Sequence, residues 1–150
     1  MFKKILYPTD FSDASKKALD YIKQLREAGA KEVIVLHVID DRKIPGFIGP
    51  DEGAPVSGMQ VEKMITMMEE DAEKETRATE AELKKSGFDV RVRIEKGIPF
   101  RDILRVEEEE EVSVIVVGSH GKGVVKEMFL GSVSEKVIRK SKKPVLVIKG

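Results

Sequence analysis

The sequence contains no cysteine, and this absence excludes several kinds of chemistry. Without thiols the chain forms no disulfide, offers no thiolate to a metal and has no cysteine nucleophile. Only two histidines occur among the 150 residues, too few for a histidine-rich metal cluster. Lysine and arginine (27) balance aspartate and glutamate (27), so the basic excess typical of nucleic-acid binders is missing and no nucleic-acid partner is expected.

Long hydrophobic runs are also missing. No apolar stretch approaches the roughly 20 residues that a membrane span needs, and the one near Met1 is shorter than that of a secretory signal. We therefore expect a cytoplasmic protein without a membrane partner. Asparagine and tryptophan are absent, whereas charged residues make up 36% of the chain. This composition favours a protein from a thermophile, and a chance bias in a short chain is the alternative.

Short apolar runs alternate with amphipathic stretches along the whole chain. The pattern predicts strands at 5–7, 33–39, 88–94, 112–117 and 145–148, and helices at 13–28, 60–86, from Pro99 onward and 131–141. Strands that alternate with helices indicate right-handed crossovers and a doubly wound parallel sheet with helices on both faces. No linker or internal repeat divides residues 1–150, so we expect a single α/β domain.

Two of the predicted strands are followed by residues suited to binding a ligand. Such sheets bind ligands at the carboxyl ends of their strands, where the strand order reverses. The first strand is followed by a Pro-Thr-Asp sequence, and the fourth by glycines that recur where the last helix begins. These candidate residues are Pro8, Thr9, Asp10, Gly118, Gly121, Gly131, Ser132, Val133 and Ser134.

The residue types at these positions suit a phosphate and a sugar. Glycine lets a ligand approach the backbone, because it has no Cβ. Backbone N–H groups in glycine turns and at a helix N-terminus converge on anions, and the Asp10 carboxylate can accept hydrogen bonds from sugar hydroxyls. A structural interpretation stays open: Gly118 could simply end a strand, Ser132 or Ser134 could cap the last helix, and Asp10 could cap the first.

For five other features of the sequence we favour a structural role over a functional one. The segment 40–58, rich in proline and glycine, is expected to be a surface loop. The methionines at 59, 64, 67 and 68 suggest core packing, with a partner surface as the alternative. The run Glu107–Glu111 suggests a solvated face, with an acidic docking patch as the alternative. His37 is expected in the core, and His120 in a solvated loop.

The spacing Gly118-x2-Gly121-x9-Gly131-Ser132 resembles the nucleotide motif of the universal stress protein family. The opening segment 5–12, the segment Leu36-His37-Val38 and the closing segments 129–137 and 143–147 are similar to that family as well. The resemblance covers the whole chain. It implies a five-stranded parallel sheet of order 3-2-1-4-5 and ATP binding, because the glycines of the ATP-binding branch are kept.

The resemblance also implies roles for individual residues. Pro8, Thr9 and Asp10 would flank the adenosine, with Asp10 on the ribose, and the main chain of Val38 would meet the adenine. Gly118 would pass beneath the ribose. The phosphates would be held by Gly121, Gly131, Ser132, Val133 and Ser134. Family members are commonly homodimers, often through the last strand.

Motifs of several other nucleotide-binding and catalytic classes are missing. There is no G-x-x-x-x-G-K-[ST] loop, no G-x-G-x-x-G after the first strand and no G-x-S-x-G elbow. No residue set stands out as a catalyst, so we expect a protein that binds ATP with Mg²⁺ on the phosphates, hydrolyses it slowly or not at all, and signals to an unknown protein partner. The alternatives are a slow nucleotide hydrolase or transferase, and a nucleotide-free dimeric interaction module.

Overall fold

A computed structural model of the chain describes residues 2–44, 58–119 and 130–150. Within these ranges five strands alternate with four helices. The elements are β1 (Lys4–Pro8), α1 (Asp13–Leu25), β2 (Glu32–Asp40), α2 (Gly58–Lys85), β3 (Asp89–Gly97), α3 (Pro99–Glu109), β4 (Val114–Gly118), α4 (Ser132–Lys140) and β5 (Val145–Ile148), with a 3-10 turn at Asp41–Lys43 after β2. Every strand pair is parallel and the order is β3-β2-β1-β4-β5, which confirms the predicted fold class and strand order.

The central strands are apolar on both faces because helices cover both sides of the sheet. Alternate residues of β2 belong to two separate cores: Val33 and Val35 pack toward α1 and α2, whereas Ile34 and Leu36 pack toward α3 and α4. All four of these side chains are fully buried. This two-sided burial fixes the register of the sheet, since a shift of one residue would exchange the two faces.

Helix α2 departs from the sequence prediction in its first half. Its first buried residue is Ala72, about halfway along the helix. Met59, Met64 and Met67 are exposed by 74%, 40% and 62%, so the prediction that they pack in the core is wrong. The helical period was read correctly, but period alone does not show where the sheet beneath a helix ends.

The glutamate run at the end of α3 is largely engaged by the protein itself. Glu107 is buried and accepts hydrogen bonds from the Lys142 and Lys143 amides at 3.1 and 3.0 Å. Glu110 lies 3.5 Å from the Lys4 ammonium and pairs with arginines of β3. The expected solvated face is therefore wrong for these two positions, because basic and amide groups distant in sequence come to lie beside them.

The two edges of the sheet differ in character. The edge strand β3 carries Arg91, Arg93 and Glu95 on one face, and these residues form ion pairs. The other edge strand, β5, is entirely apolar, and its Leu146 is 38% exposed. In the described part of the chain, no helix combines the length and the apolarity required to span a bilayer.

Candidate functional site

The topology places a crevice at the carboxyl ends of β1 and β4. The connection from β1 leads toward β2, whereas the connection from β4 leads the opposite way, toward β5. A cavity of about 730 Å³ opens there, within the size range of small-molecule sites. The candidate residues that line it are Pro8, Thr9, Asp10, Val38, Gly118, Gly131, Ser132, Val133 and Ser134.

The turn between β1 and α1 is fixed by its own side chains. Asp10 Oδ1 accepts a hydrogen bond from the Ser12 amide at 2.9 Å, which closes an Asx turn. Ser12 is the N-cap of α1 and accepts from the Ser15 amide at 3.2 Å. Ser12, and not Asp10, therefore caps α1. The Asp10 residue is exposed at the mouth of the cavity.

Thr9 is tied to the surrounding elements at three atoms. Its amide donates to the Leu36 carbonyl at 2.8 Å, its Oγ1 accepts from the Ser15 hydroxyl at 2.7 Å, and its carbonyl lies 2.8 Å from Nδ1 of His37. The hydroxyl of Tyr7 donates a hydrogen bond to the Ser15 carbonyl. Burial raises the pKa of the Tyr7 phenol. The turn is consequently held in one conformation before any ligand arrives.

The main chain of Val38 is directed into the same space. Successive residues of a strand turn their N–H and C=O groups to opposite neighbours. Since the Leu36 carbonyl faces β1, where it accepts from the Thr9 amide, the N–H and C=O of Val38 face that side too. The paired part of β1 ends at Pro8, opposite Leu36. The N–H and C=O of Val38 therefore point beyond the end of β1.

The fourth strand and the last helix meet at the other side of the cavity. The hydroxyl of Ser134 donates to the Gly118 carbonyl at 2.7 Å, and the Gly131 amide donates to the Ser119 carbonyl at 2.7 Å. These bonds bring the N-terminus of α4 to the end of β4. Gly131 itself is the N-cap, so the structural alternative in which Ser132 or Ser134 fills that position is wrong.

Gly118 is required by packing as well. A Cβ on this residue would lie 2.9 Å from the Ala14 carbonyl carbon and the Ser15 amide nitrogen. The first turn of α1 thus passes closer to β4 than a side chain permits. Gly118 also ends β4, as the structural interpretation had it. Its close contact with α1 is compatible with a ligand role, because it brings the start of α1 to the crevice.

Several lining residues were not anticipated from the sequence. Asp40 and Arg42 form a two-point ion pair, with Arg42 Nε 2.9 Å from Oδ1 and a terminal nitrogen 2.7 Å from Oδ2. The Arg42 guanidinium holds the pKa of the Asp40 carboxyl below its ordinary range. Met68 and Asp71 of α2 add a wall on that side. No local motif marks these residues: Asp40 and Arg42 lie at the end of β2 and in the turn after it, and the crossover through α2 brings Met68 and Asp71 to the site.

His37 was expected in the core, and the structure places it half-buried in the cavity wall instead. Its ring stacks on Phe11 with the centroids 4.6 Å apart. Gly121 and His120 fall outside the described residues. Among the residues that the structure describes, no three histidine, aspartate or glutamate side chains converge to hold a metal ion.

The parallel five-stranded sheet and the crevice at its topological switch point place the chain in the class of doubly wound α/β proteins, in which ligands bind at that point. The model of the Universal stress protein family matches residues 1–149, and the chain belongs to that family.

Individual relatives support the assignment over the full length. Universal stress protein MJ0577 from Methanocaldococcus jannaschii is 42% identical over 158 aligned residues, covering 99% of this chain and 96% of that protein. The solved structure of MJ0577 superposes with a TM-score of 0.88, covering 100% and 97% of the two chains. Universal stress protein YxiE from Bacillus subtilis is 33% identical, covering 99% and 100%. The universal stress protein from Archaeoglobus fulgidus in complex with dAMP shares the fold, with a TM-score of 0.63, 20% identity and coverage of 99% and 98%.

Proposed function

We propose that this chain binds ATP and acts as a nucleotide-dependent switch that hydrolyses ATP slowly or not at all. One observation carries the proposal: the ends of β1, β2 and β4 and the start of α4 line a single cavity at the switch point of the sheet. Two universal stress proteins of this fold have been solved with adenine nucleotides, one with cAMP and one with dAMP. The cavity of about 730 Å³ is large enough for such a ligand.

The nucleoside half of ATP would lie between β1 and β2. The N–H and C=O of Val38 face this space, and a donor next to an acceptor matches the edge of an adenine ring, which offers the same pair in reverse. Asp10 stands at the mouth of the cavity, where its carboxylate would accept hydrogen bonds from ribose hydroxyls. Gly118 would form the floor between the two halves of the site.

The phosphate half would lie at the N-terminus of α4. The first amides of a helix lack partners within it and carry the positive end of its dipole. Because the Gly131 amide and the Ser134 hydroxyl already donate to the protein, the donors we assign to phosphate are the Ser132, Val133 and Ser134 amides and the Ser132 hydroxyl. Mg²⁺ would enter with the phosphates, where its charge offsets theirs.

The proposed switch depends on the structural elements that a bound nucleotide would contact at the same time. Bound ATP would bridge the β1–α1 turn, the end of β2 and α4, so it would stabilise one arrangement of these elements relative to the others. A ligand shifts such an equilibrium only by its difference in affinity for the two arrangements. A protein partner that recognises the ATP-bound arrangement would complete the signal.

A pair of substitutions at Ser132 tests the placement of the phosphates. Ser132→Asp adds a negative charge at the start of α4, where it favours the helix but repels phosphate. Ser132→Asn has nearly the same shape without the charge. In isothermal titration with ATP and Mg²⁺, we expect the Asp variant to bind at least about tenfold more weakly than the Asn variant, which corresponds to about 1.4 kcal/mol. The loss should be smaller for AMP, which has fewer charges.

The proposal fails if the unmodified protein takes up no ATP at millimolar concentration. Equal affinities of the Asp and Asn variants would show that ATP binds with its phosphates elsewhere. Turnover above about 1 per second would instead make the chain a nucleotide hydrolase or transferase.

We further propose that the chain forms a homodimer through β5. An exposed apolar edge strand invites pairing with a second copy, whereas the charges on β3 discourage it at the other edge. Leu146→Lys should give a monomer in size-exclusion chromatography with light scattering. Met67→Lys, which replaces a more exposed apolar residue on α2, should leave the mass unchanged. A monomeric parent protein, or a dimer that survives Leu146→Lys, would contradict this assembly.

A further inference from the structure

The pairing of β1 with β2 stops one hydrogen bond early. The Thr9 amide donates to the Leu36 carbonyl at 2.8 Å, as in a regular parallel ladder. The next bond of that ladder would run from the Val38 amide to the Thr9 carbonyl. In the described residues that bond is absent, and the ladder ends at the pair Pro8–Leu36.

The Thr9 carbonyl is instead engaged by a side chain. Nδ1 of His37 lies 2.8 Å from this oxygen. A carbonyl only accepts hydrogen bonds, so Nδ1 carries the proton and donates it. The imidazole is therefore bound to the same oxygen to which the Val38 amide would donate if the ladder continued.

We propose that His37 is a positioning residue that ends the β1–β2 ladder and thereby keeps the Val38 amide available to a ligand. The residue acts through its neighbour: it binds the carbonyl of Thr9 and leaves the donor of Val38 directed into the cavity. An amide that faces a cavity without a protein partner is a ready hydrogen-bond donor, because it has no internal bond to give up. The effect on nucleotide affinity rests on the proposed function, whereas the effect on the ladder does not.

The position of the imidazole is itself enforced. Its ring stacks on Phe11 at 4.6 Å between centroids, within the range of favourable aromatic pairs. Phe11 has a φ of 63°, a left-handed conformation that a bulky residue rarely adopts. The Phe11 amide donates to Thr9 Oγ1 at 3.1 Å, which holds that conformation in place. The Thr9–Phe11 turn thus folds back over the histidine and keeps the ring against the Thr9 carbonyl.

Three substitutions separate the donor from the ring. His37→Asn keeps an N–H group near the place of Nδ1 and removes the ring. His37→Phe keeps a ring that can stack on Phe11 and removes the donor. His37→Val removes both and suits a strand, so it serves as a second variant without the donor if the phenylalanine variant fails to fold.

Amide hydrogen exchange of the nucleotide-free protein measures the ladder directly. In the unmodified protein and in His37→Asn, we expect the Val38 amide to exchange rapidly. In His37→Phe and His37→Val, the Thr9 carbonyl can accept the Val38 amide, and exchange should slow by at least tenfold without loss of thermal stability. A histidine that only stabilises the fold would have the opposite effect, because its removal would lower stability and speed exchange.

Titration with ATP and Mg²⁺ measures the consequence for the site. We expect His37→Asn to bind within about threefold of the unmodified protein and His37→Phe to bind about tenfold more weakly. The inference is overturned if Val38 exchanges equally fast with and without the histidine donor, or if the Asn and Phe variants bind ATP alike. Failure of the unmodified protein to bind ATP would overturn the proposed function alone, since the exchange result does not depend on nucleotide.

Discussion

Gly118 lies where the first turn of α1 passes closest to the sheet. A Cβ at this position would approach two backbone atoms of α1 to 2.9 Å and the Ala14 Cβ to 3.1 Å. Backbone atoms of a helix move only with the helix, so the contact cannot be relieved by a side-chain rotation. The glycine therefore sets the distance between β4 and the start of α1, which is one dimension of the crevice.

Gly118→Ala should destabilise the protein by about 1–3 kcal/mol, the usual cost of forcing extra volume into a packed contact. The measurement is urea unfolding followed by circular dichroism. Gly58→Ala is the matched control, because none of the described residues lies within 4 Å of the Cβ it would add. It should be neutral or slightly stabilising, since alanine favours a helix over glycine. Equal stability of the two variants would show that α1 can retreat from the sheet without cost.

At the scale of residues, the spacing of the glycines predicted positions in the cavity, whereas the contacts and the burial of single residues could not be predicted. The glycine pattern located Gly118 and Gly131, and the structure brings them to one cavity. The same pattern gave no sign of the Gly118 contact with α1, because steric approach depends on two elements 100 residues apart in sequence. His37 was assigned to the core because an apolar strand surrounds it, yet β1 ends before reaching it and leaves its ring in the cavity wall.

The C-terminal turn of α3 is joined to the chain before β5 through one carboxylate. Glu107 Oε1 accepts hydrogen bonds from the Ser141 hydroxyl at 2.5 Å and from the amides of Lys142 and Lys143. This buried carboxylate thus accepts three hydrogen bonds from the turn between α4 and β5 and holds that turn in place. The element that carries the candidate phosphate site, α4, is thus fixed at its far end to α3.

Glu107→Ala should cost about 1–3 kcal/mol of stability, because it removes a buried carboxylate that accepts hydrogen bonds from three donors. Thermal and urea unfolding measure this loss. Glu108→Ala, at the exposed neighbouring position, is the control and should fall within about 0.5 kcal/mol of the parent. If both variants unfolded at the same urea concentration, water would have to replace the carboxylate fully, and the proposed link between α3 and α4 would be wrong.

At the scale of elements, periodicity predicted the type and order of the strands and helices. Boundaries were less accurate: α1 ends at Leu25 rather than at residue 28, where a turn leads to Gly29 with its φ of 102°. The first half of α2 has the period of a buried helix but lies beyond the sheet, so its methionines stay exposed. The periodicity of apolar residues in the sequence shows which side of a helix is apolar. Packing against the rest of the protein decides how much of that side is buried.

Charges are arranged as a network around the edge strand β3 and the end of α3. The Glu110 carboxylate pairs with Lys4, Arg91 and Arg93, and Arg93 also pairs with Glu95. The composition showed equal numbers of positively and negatively charged residues, but it did not show that these residues form ion pairs with one another. Ion-pair networks of this kind matter most at high temperature, where the cost of removing water from charges falls.

The network and the composition together predict a heat-stable protein. Differential scanning calorimetry at neutral pH should give an unfolding midpoint above the range of about 45–65 °C in which mesophilic domains cluster. A midpoint inside that range would mean that the charge pattern is a compositional bias without thermal consequence.

Stability should also depend on pH through Glu110. Burial acts to raise the pKa of this carboxyl, and its pairing with Arg91, Lys4 and Arg93 lowers it further than burial raises it, so the pKa lies below the ordinary value of 4.5. A carboxyl with a lowered pKa in the folded state stabilises the protein above about pH 4.5 and loses that contribution as the pH falls below it.

The free-energy difference between the parent and Glu110→Gln should therefore be largest near neutral pH and shrink toward about pH 3, as measured by urea unfolding at several pH values. Glu108→Gln, which removes an exposed carboxylate that forms no ion pair within the described ranges, should show a small difference at every pH. A constant difference for Glu110→Gln would show that its ion pairs do not stabilise the fold.

We propose that four separate segments of the chain form one nucleotide site. The most direct test is a titration of the isotope-labelled, nucleotide-free protein with ATP and Mg²⁺, followed residue by residue in amide NMR spectra. We expect the amides of Thr9, Val38, Gly118 and Ser132–Ser134 to shift together along one saturable curve. Shifts confined to one of these segments, or no saturable shift at millimolar ATP, would contradict it.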